Sequence, residues 1–216
     1  MKRRIISMIL CFAIVACFFQ LFASTALAVG DSGSYPVLIV RGVDINGLYL
    51  DFGTENQRSC LGEIDAAGIT KTLILATAKG LINNDMDSAV DEILIYAHKI
   101  LDGLACDNTG ASLYNVGCYK YPDSVGTYED FPYADENEMG IIKAAVEHYG
   151  GDNVYYFNYD WRMNPQDIAH EIAATVNKVI SETGKEKVNL VSASMGGVMT
   201  VAYISEYGYN KLNKCV

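Results

Sequence analysis

The residues with the clearest capacity for chemistry lie in Val188-Asn-Leu-Val-Ser-Ala-Ser194-Met-Gly-Gly-Val-Met-Thr200. A serine hydroxyl is a weak nucleophile, so it must stand clear of the backbone where a base and a substrate can both reach it. A sharp turn from a strand into a helix achieves this, and it crowds the residues two before and two after the serine. Those residues are Ser192 and Gly196, both small. The usual pattern for such a turn is G-x-S-x-G, and this chain has S-x-S-x-G. The backbone N–H of Met195, at the expected helix N-terminus, would face an anionic oxygen formed at the substrate. An ordinary serine in a β–α turn is the alternative reading of these five residues. The strand before them and Gly196-Gly197 after them favour the nucleophile.

The elements that would position Ser194 follow from periodicity. Val188 to Val191 is a short apolar run suited to a buried strand, and Val198, Met199, Val201, Ala202 and Ile204 begin a helix. Near the start of the chain, Tyr35-Pro-Val-Leu-Ile-Val-Arg41 reads as a buried strand ended by Gly42. The loop after it, with Asn46-Gly47 as a turn, is placed to offer a second oxyanion N–H, or Gly42 simply ends the strand. Val154 to Tyr159 is a further strand, followed by Asp160-Trp161-Arg162. Asn164-Pro165 caps a helix carrying Ile168, Ile172, Val176 and Val179, which Gly184 ends. A helix from Asp135 or Asn137 carries Met139, Ile142, Ala145, Val146 and Tyr149 and stops at Gly150-Gly151. This βαβα succession predicts an α/β fold with a mostly parallel sheet.

The region 51–133 reads as an insertion or a lid-like excursion. Ile69 to Ala78 suits helix and strand alike. A helix capped by Asp87 or Ser88 would carry Val90, Ile93, Leu94, Ala97, Leu101 and Leu104 as its stripe. Asn108 to Pro132 is irregular, and the cluster Tyr114, Tyr119, Tyr121, Tyr128, Phe131 and Tyr133 either lines an apolar cleft or packs the loop.

Residues 1–28 have the form of a secretory signal peptide: Lys2-Arg-Arg4, an apolar run from Ile5 to about Phe22, and Ala26-Leu-Ala28 as cleavage site. An uncleaved membrane anchor is the alternative. The expected location is secreted or cell-surface. Without the leader, 13 basic residues face 26 acidic ones, so charge alone argues against nucleic acid or anionic lipid as a partner. Four cysteines remain, Cys60, Cys106, Cys118 and Cys215. In an exported chain they predict disulfides, and the loop residues between Cys106 and Cys118 favour that pair. No spacing of Cys or His points to a metal site, and no cofactor is implied.

Three stretches together, Pro36-Val-Leu-Ile-Val with its glycine loop, Tyr159-Asp-Trp-Arg162 and Ser194-Met-Gly-Gly197, resemble the lecithin:cholesterol acyltransferase-like branch of the α/β-hydrolases, which includes lipases. The likeness covers roughly residues 35–50 and 135–208. It implies an exported serine acyl hydrolase or acyltransferase that acts on lipid-like esters through an acyl-serine. It also implies transient contact with a membrane or lipid surface. Ser194 would be the nucleophile, and Met195 and Val43 would donate oxyanion N–H groups. Gly42, Ser192, Gly196, Gly197, Asp160, Trp161 and Arg162 would shape and brace the site, Asp160 and Arg162 as an ion pair. Two departures stand out. Arg41 replaces the His or Pro often found before the oxyanion glycine. The acid and histidine expected after the nucleophile are missing: only Glu206 and no histidine follow Ser194. The chain therefore reads as the N-terminal portion of an α/β-hydrolase domain, truncated after the nucleophile helix. The alternatives are an inactive hydrolase-like binding module and a non-lipid esterase or peptidase. His98, His148 and His170 are the histidines that would serve as base in an unusual topology.

Overall fold

A computed structural model describes residues 35–44, 46–61, 66–129 and 136–216. The expected signal peptide, the polar leader Asp31–Ser34, Phe131, Tyr133 and the helix cap expected at Asp135 lie outside them.

Val37-Leu-Ile-Val40 forms β1, with all four side chains buried. No polar position interrupts the run, as suits a strand covered on both faces. It pairs in parallel with β5 (Val154–Phe157) on one side and β6 (Val188–Ser192) on the other, and β6 pairs in parallel with β7 (Leu212–Cys215). The sheet order is β5-β1-β6-β7. The chain is thus α/β, with a four-stranded parallel sheet of the α/β-hydrolase-like kind. β7 is an element that the sequence did not reveal, because one of its four residues, Leu212, is buried and the other three are exposed.

Alternation along β1 splits the interior into two cores. Leu38 and Val40 face one side, where Ile168, Ile172, Val176 and Val179 of α4 (Pro165–Thr183) and Met199 and Tyr203 of α5 (Gly196–Tyr207) cover them. Val37 and Ile39 face the other, against Ile142 and Ala145 of α3 (Glu136–Tyr149). The caps explain where α4 begins and ends. Asn164 accepts the Gln166 N–H at 3.0 Å, Pro165 follows, and Gly184 closes the helix at φ 66° with its N–H on Ile180 O.

The insertion has structure of its own. Ala66–Asn83 is helical (α1), which resolves the helix-or-strand ambiguity at Ile69–Ala78. Met86–Leu101 is α2, capped by Asp85, which accepts the Ser88 N–H at 3.1 Å. The two helices form an antiparallel pair, and small residues set their approach: a Cβ on Gly80 would stand 2.8 Å from the Ala89 Cβ. The expected stripe on α2 is therefore rotated. Ala89 is buried, while Val90, Leu94 and Leu101 are exposed. Two-residue strands β2 (Tyr49–Leu50), β3 (Arg58–Ser59) and β4 (Val116–Gly117) make a small antiparallel sheet in the order β3-β2-β4.

The tyrosines of the excursion part company. Tyr119 packs edge-on against Tyr49 and Phe52, Tyr121 against Tyr128 and Tyr156, and Tyr114 is exposed with its hydroxyl on Asp102. The expected Cys106–Cys118 disulfide is not formed; all four cysteines of the described residues are free thiols. β4 carries Cys118 into a cluster with Leu48 and Cys60, whereas the turn at Asp107 folds Cys106 back onto Ser112, with its thiol on Leu104 O at 3.8 Å. Burial raises the Cys60 and Cys118 pKa values.

Candidate active site

Chain order and strand order disagree at one place. β1 is followed in the sheet by β5 on one side, and the chain then crosses to β6 on the other. The crevice beyond the ends of β1 and β6 is therefore the topological switch point, where open α/β sheets place ligands. Gly42 follows β1 and Ser194 follows β6, so the two residues singled out from the sequence meet there. A Cβ on Gly42 would stand 3.2 Å from the Ser194 Cβ and 3.2 Å from Ala193 O. Glycine permits that approach.

Ser194 is exposed and has φ 49°, one of three non-glycine residues with positive φ among those described. Such a backbone is costly for an L-residue and persists where the surroundings over-determine it. Those surroundings are the end of β1. The Ala193 N–H bonds Val40 O at 3.0 Å, the Gly196 N–H bonds Ala193 O at 2.7 Å and the Gly197 N–H bonds Ser194 O at 3.0 Å. A Cβ on Gly196 would lie 2.5 Å from both Val40 O and Arg41 O, so the turn requires a residue without one. Ser192 has a different solution. Its hydroxyl pairs with the Thr200 hydroxyl at 2.8 Å, one helical turn into α5, which accommodates serine where glycine is usual. The N–H groups of Val43 and Met195 bond to no acceptor among the described residues. Both are free to receive an oxyanion.

The loop after β1 is held from beneath by polar groups, of which sequence reasoning gave a bracing role to Trp161 but none to Asp44, Glu138, Tyr156, Asn158 or Tyr159. Arg41, 2% exposed, pairs with Asp44, lies 3.7 Å from Glu138 and donates to Asn158 Oδ1 at 2.7 Å. Its side chain thus points into the protein and not toward a substrate, which answers the departure noted at this position. Glu138 accepts the Gly42 N–H at 3.1 Å and the Tyr156 hydroxyl. The Tyr159 hydroxyl donates to Arg41 O at 3.1 Å, and Trp161 Nε1 to Asp44 O at 3.1 Å. Burial raises the Tyr156 hydroxyl pKa far above its usual range; Arg41 opposes this and Glu138 adds to it. Burial likewise raises Tyr159. Glu138 did leave a signal in the sequence: it lies four residues before Ile142 and seven before Ala145, an acid on the buried stripe of α3.

Asp160 and Arg162 form a two-point ion pair, with Nη2 to Oδ2 at 2.7 Å and Nε to Oδ1 at 3.0 Å. The same guanidinium donates to Leu104 O at 3.2 Å and Ser112 Oγ at 3.3 Å, tying the insertion to the end of β5. The Asp160 bond raises the Arg162 pKa, against a smaller opposing effect of burial.

No histidine bonds the Ser194 hydroxyl among the described residues. His170 contacts Tyr207 and lies 3.6 Å from Glu206, at the far end of α5. The 12 residues of that helix span about 18 Å, out of reach of Ser194. His148 is in the last turn of α3, about 15 Å along the helix from Glu138 beside Gly42. His98 is exposed in the last turn of α2.

Compared with protein-family models and with curated proteins, the chain matches none.

Proposed function

We propose that this protein is an exported serine acyl hydrolase or acyltransferase, similar to the lecithin:cholesterol acyltransferase-like branch of the α/β-hydrolases, that acts on lipid-like esters. The observation that carries the reading is the backbone of Ser194: an exposed serine at φ 49° in a strand-to-helix turn, beside Gly42. In the proposed reaction Ser194 Oγ attacks the ester carbonyl and its proton passes to a base. The carbonyl oxygen, now negative, takes hydrogen bonds from the Val43 and Met195 N–H groups. Collapse expels the alcohol, and the acyl-serine then passes its acyl group to water or another alcohol. In this proposal the base and its orienting acid come from outside the described residues, since no histidine among them bonds the Ser194 hydroxyl.

The lipid-like substrate is supported by α1. Ile74, Leu75, Leu81 and Ile82 are exposed on it, with Lys71 and Lys79 as its charges and no acid. This apolar face, with Lys71 on the same side by helical spacing and Lys79 paired with Glu92 at 2.9 Å, suits a lipid surface.

Expressed from its complete reading frame, the protein is expected to take one fluorophosphonate adduct, at Ser194, and to lose it in Ser194→Ala. A folded protein that neither labels nor turns over esters would overturn the proposal. That no described histidine bonds the Ser194 hydroxyl favours a second reading, an inactive module that binds a ligand at the same crevice. Ligand binding that survives Ser194→Ala, without ester turnover, would establish it.

A further inference from the structure

The loop that presents Val43 has a partner that the nucleophile motif does not include. Glu138 reaches it from the first turn of α3, a separate element 96 residues away in sequence from Gly42. Its carboxylate is almost wholly buried and sits between two donors. Oε1 takes the Gly42 N–H at 3.1 Å, and Oε2 takes the Tyr156 hydroxyl from β5. The Arg41 guanidinium lies 3.7 Å from Oε2 and is itself paired with Asp44.

We infer that Glu138 is a positioning residue for the oxyanion loop. Resting on the reading of Ser194 as nucleophile, the argument turns on adjacent N–H groups. Each peptide plane is rigid, and the two that carry these N–H groups join at the Gly42 Cα, so anchoring the first fixes the pivot about which the second turns. The Gly42 N–H is committed inward to a charged acceptor, the strongest kind available to an amide. The Val43 N–H bonds to nothing among the described residues, and Val43 is 40% exposed. One N–H is spent on anchoring so that the next stays free and aimed outward. Were Glu138 absent, the buried Gly42 N–H would lack its acceptor, and the loop would turn to find another. Carbonyl oxygens of the elbow are close at hand: Ala193 O lies 3.2 Å from where a Gly42 Cβ would be. Movement of that kind withdraws Val43 from the oxyanion position.

A carboxylate beside a developing oxyanion is an odd choice on charge alone, and this yields a discriminating test. The inference assigns value to the acceptor, not to the charge. Glu138→Gln keeps a carbonyl oxygen for the Gly42 N–H and removes the charge; Glu138→Met keeps the length and removes both. In the protein from the complete reading frame, fluorophosphonate labelling of Ser194 is measured per folded molecule, together with exchange of the Gly42 amide by NMR. Glu138→Met is expected to slow labelling roughly tenfold to a hundredfold and to speed Gly42 exchange, while Glu138→Gln stays within about threefold of the parent in both. Should Glu138→Met not fold, Tyr156→Phe removes one donor from Oε2, leaves Oε1 on the Gly42 N–H, and is expected to give a smaller loss of the same kind. Equal labelling by the parent, Glu138→Met and Tyr156→Phe overturns the inference, as does faster Gly42 exchange with unchanged labelling. Absence of labelling in the parent fails the serine reading instead, so the two failures are distinct.

Discussion

Ser194 holds a backbone conformation that costs an L-residue about 1–2 kcal/mol, and glycine adopts it without that penalty. Replacing the serine therefore separates two effects. Ser194→Gly relieves the strain and gives back part of the gain as chain entropy, whereas Ser194→Ala keeps the Cβ and the strain. Ser194→Gly should exceed Ser194→Ala in stability by about 1 kcal/mol in urea denaturation, and neither should label. Equal stability of the two would mean that the turn is not strained. The same scale explains why the S-x-S-x-G pattern is tolerated. Gly196 has no room for a Cβ, but Ser192 has a hydroxyl partner in Thr200. Ser194, Gly196 and Gly42 were legible in the sequence because turn chemistry is local. Asp44, Asn158 and Tyr159 were not, because their partners stand far away in the chain or, for Asp44, across a turn whose burial no sequence pattern announces.

The elements differ in how firmly their sequences specify them. α4 has a cap, a proline and a terminal glycine at consecutive checkpoints, with four stripe residues all at 0–1% exposure, and was read correctly end to end. β2, β3 and β4 have two residues each, too few for any period to show, so the small antiparallel sheet was invisible. α1 and α2 were obscured for another reason. They pack on each other through Gly80 and Ala89 and leave larger apolar residues outside, which inverts the usual relation between size and burial. That contact gives a prediction confined to the pair. Gly80→Leu has no space at 2.8 Å from Ala89, so it should separate α1 from α2 and speed amide exchange over 66–101 by more than tenfold. Exchange in β1, β5 and β6 should be unchanged. Protection lost throughout the sheet would show that the pair is part of the main cooperative unit.

Across the whole molecule, the buried tyrosines set an alkaline limit on stability. Burial, aided by Glu182, raises Tyr155 to about 12, and burial raises Tyr156 and Tyr159 further, from an ordinary value of 10.0. The unfolded chain loses these protons first, so above pH 10 it binds fewer protons than the native state and is favoured. The tyrosine contribution is complete below about pH 10 and falls as pH rises from there through the native values. The urea midpoint should therefore drop from pH 10 to 12, with a shallower slope in Tyr155→Phe; a flat profile would contradict the burial of these hydroxyls. The division of β1 between two cores has a consequence in the language of reading frames. Four residues in this strand supply both faces of the sheet, and the second residue after them, Gly42, meets Ser194. Loss of one codon there would exchange the faces of every side chain upstream of the lesion or draw Arg41 into the place of Val40, and no neighbour could compensate for both. Loss of one codon in the exposed turn 107–111 would shorten a surface loop. The stretch of gene least able to vary in length is thus the short one that ends at Gly42, although it contains none of the residues that would touch a substrate.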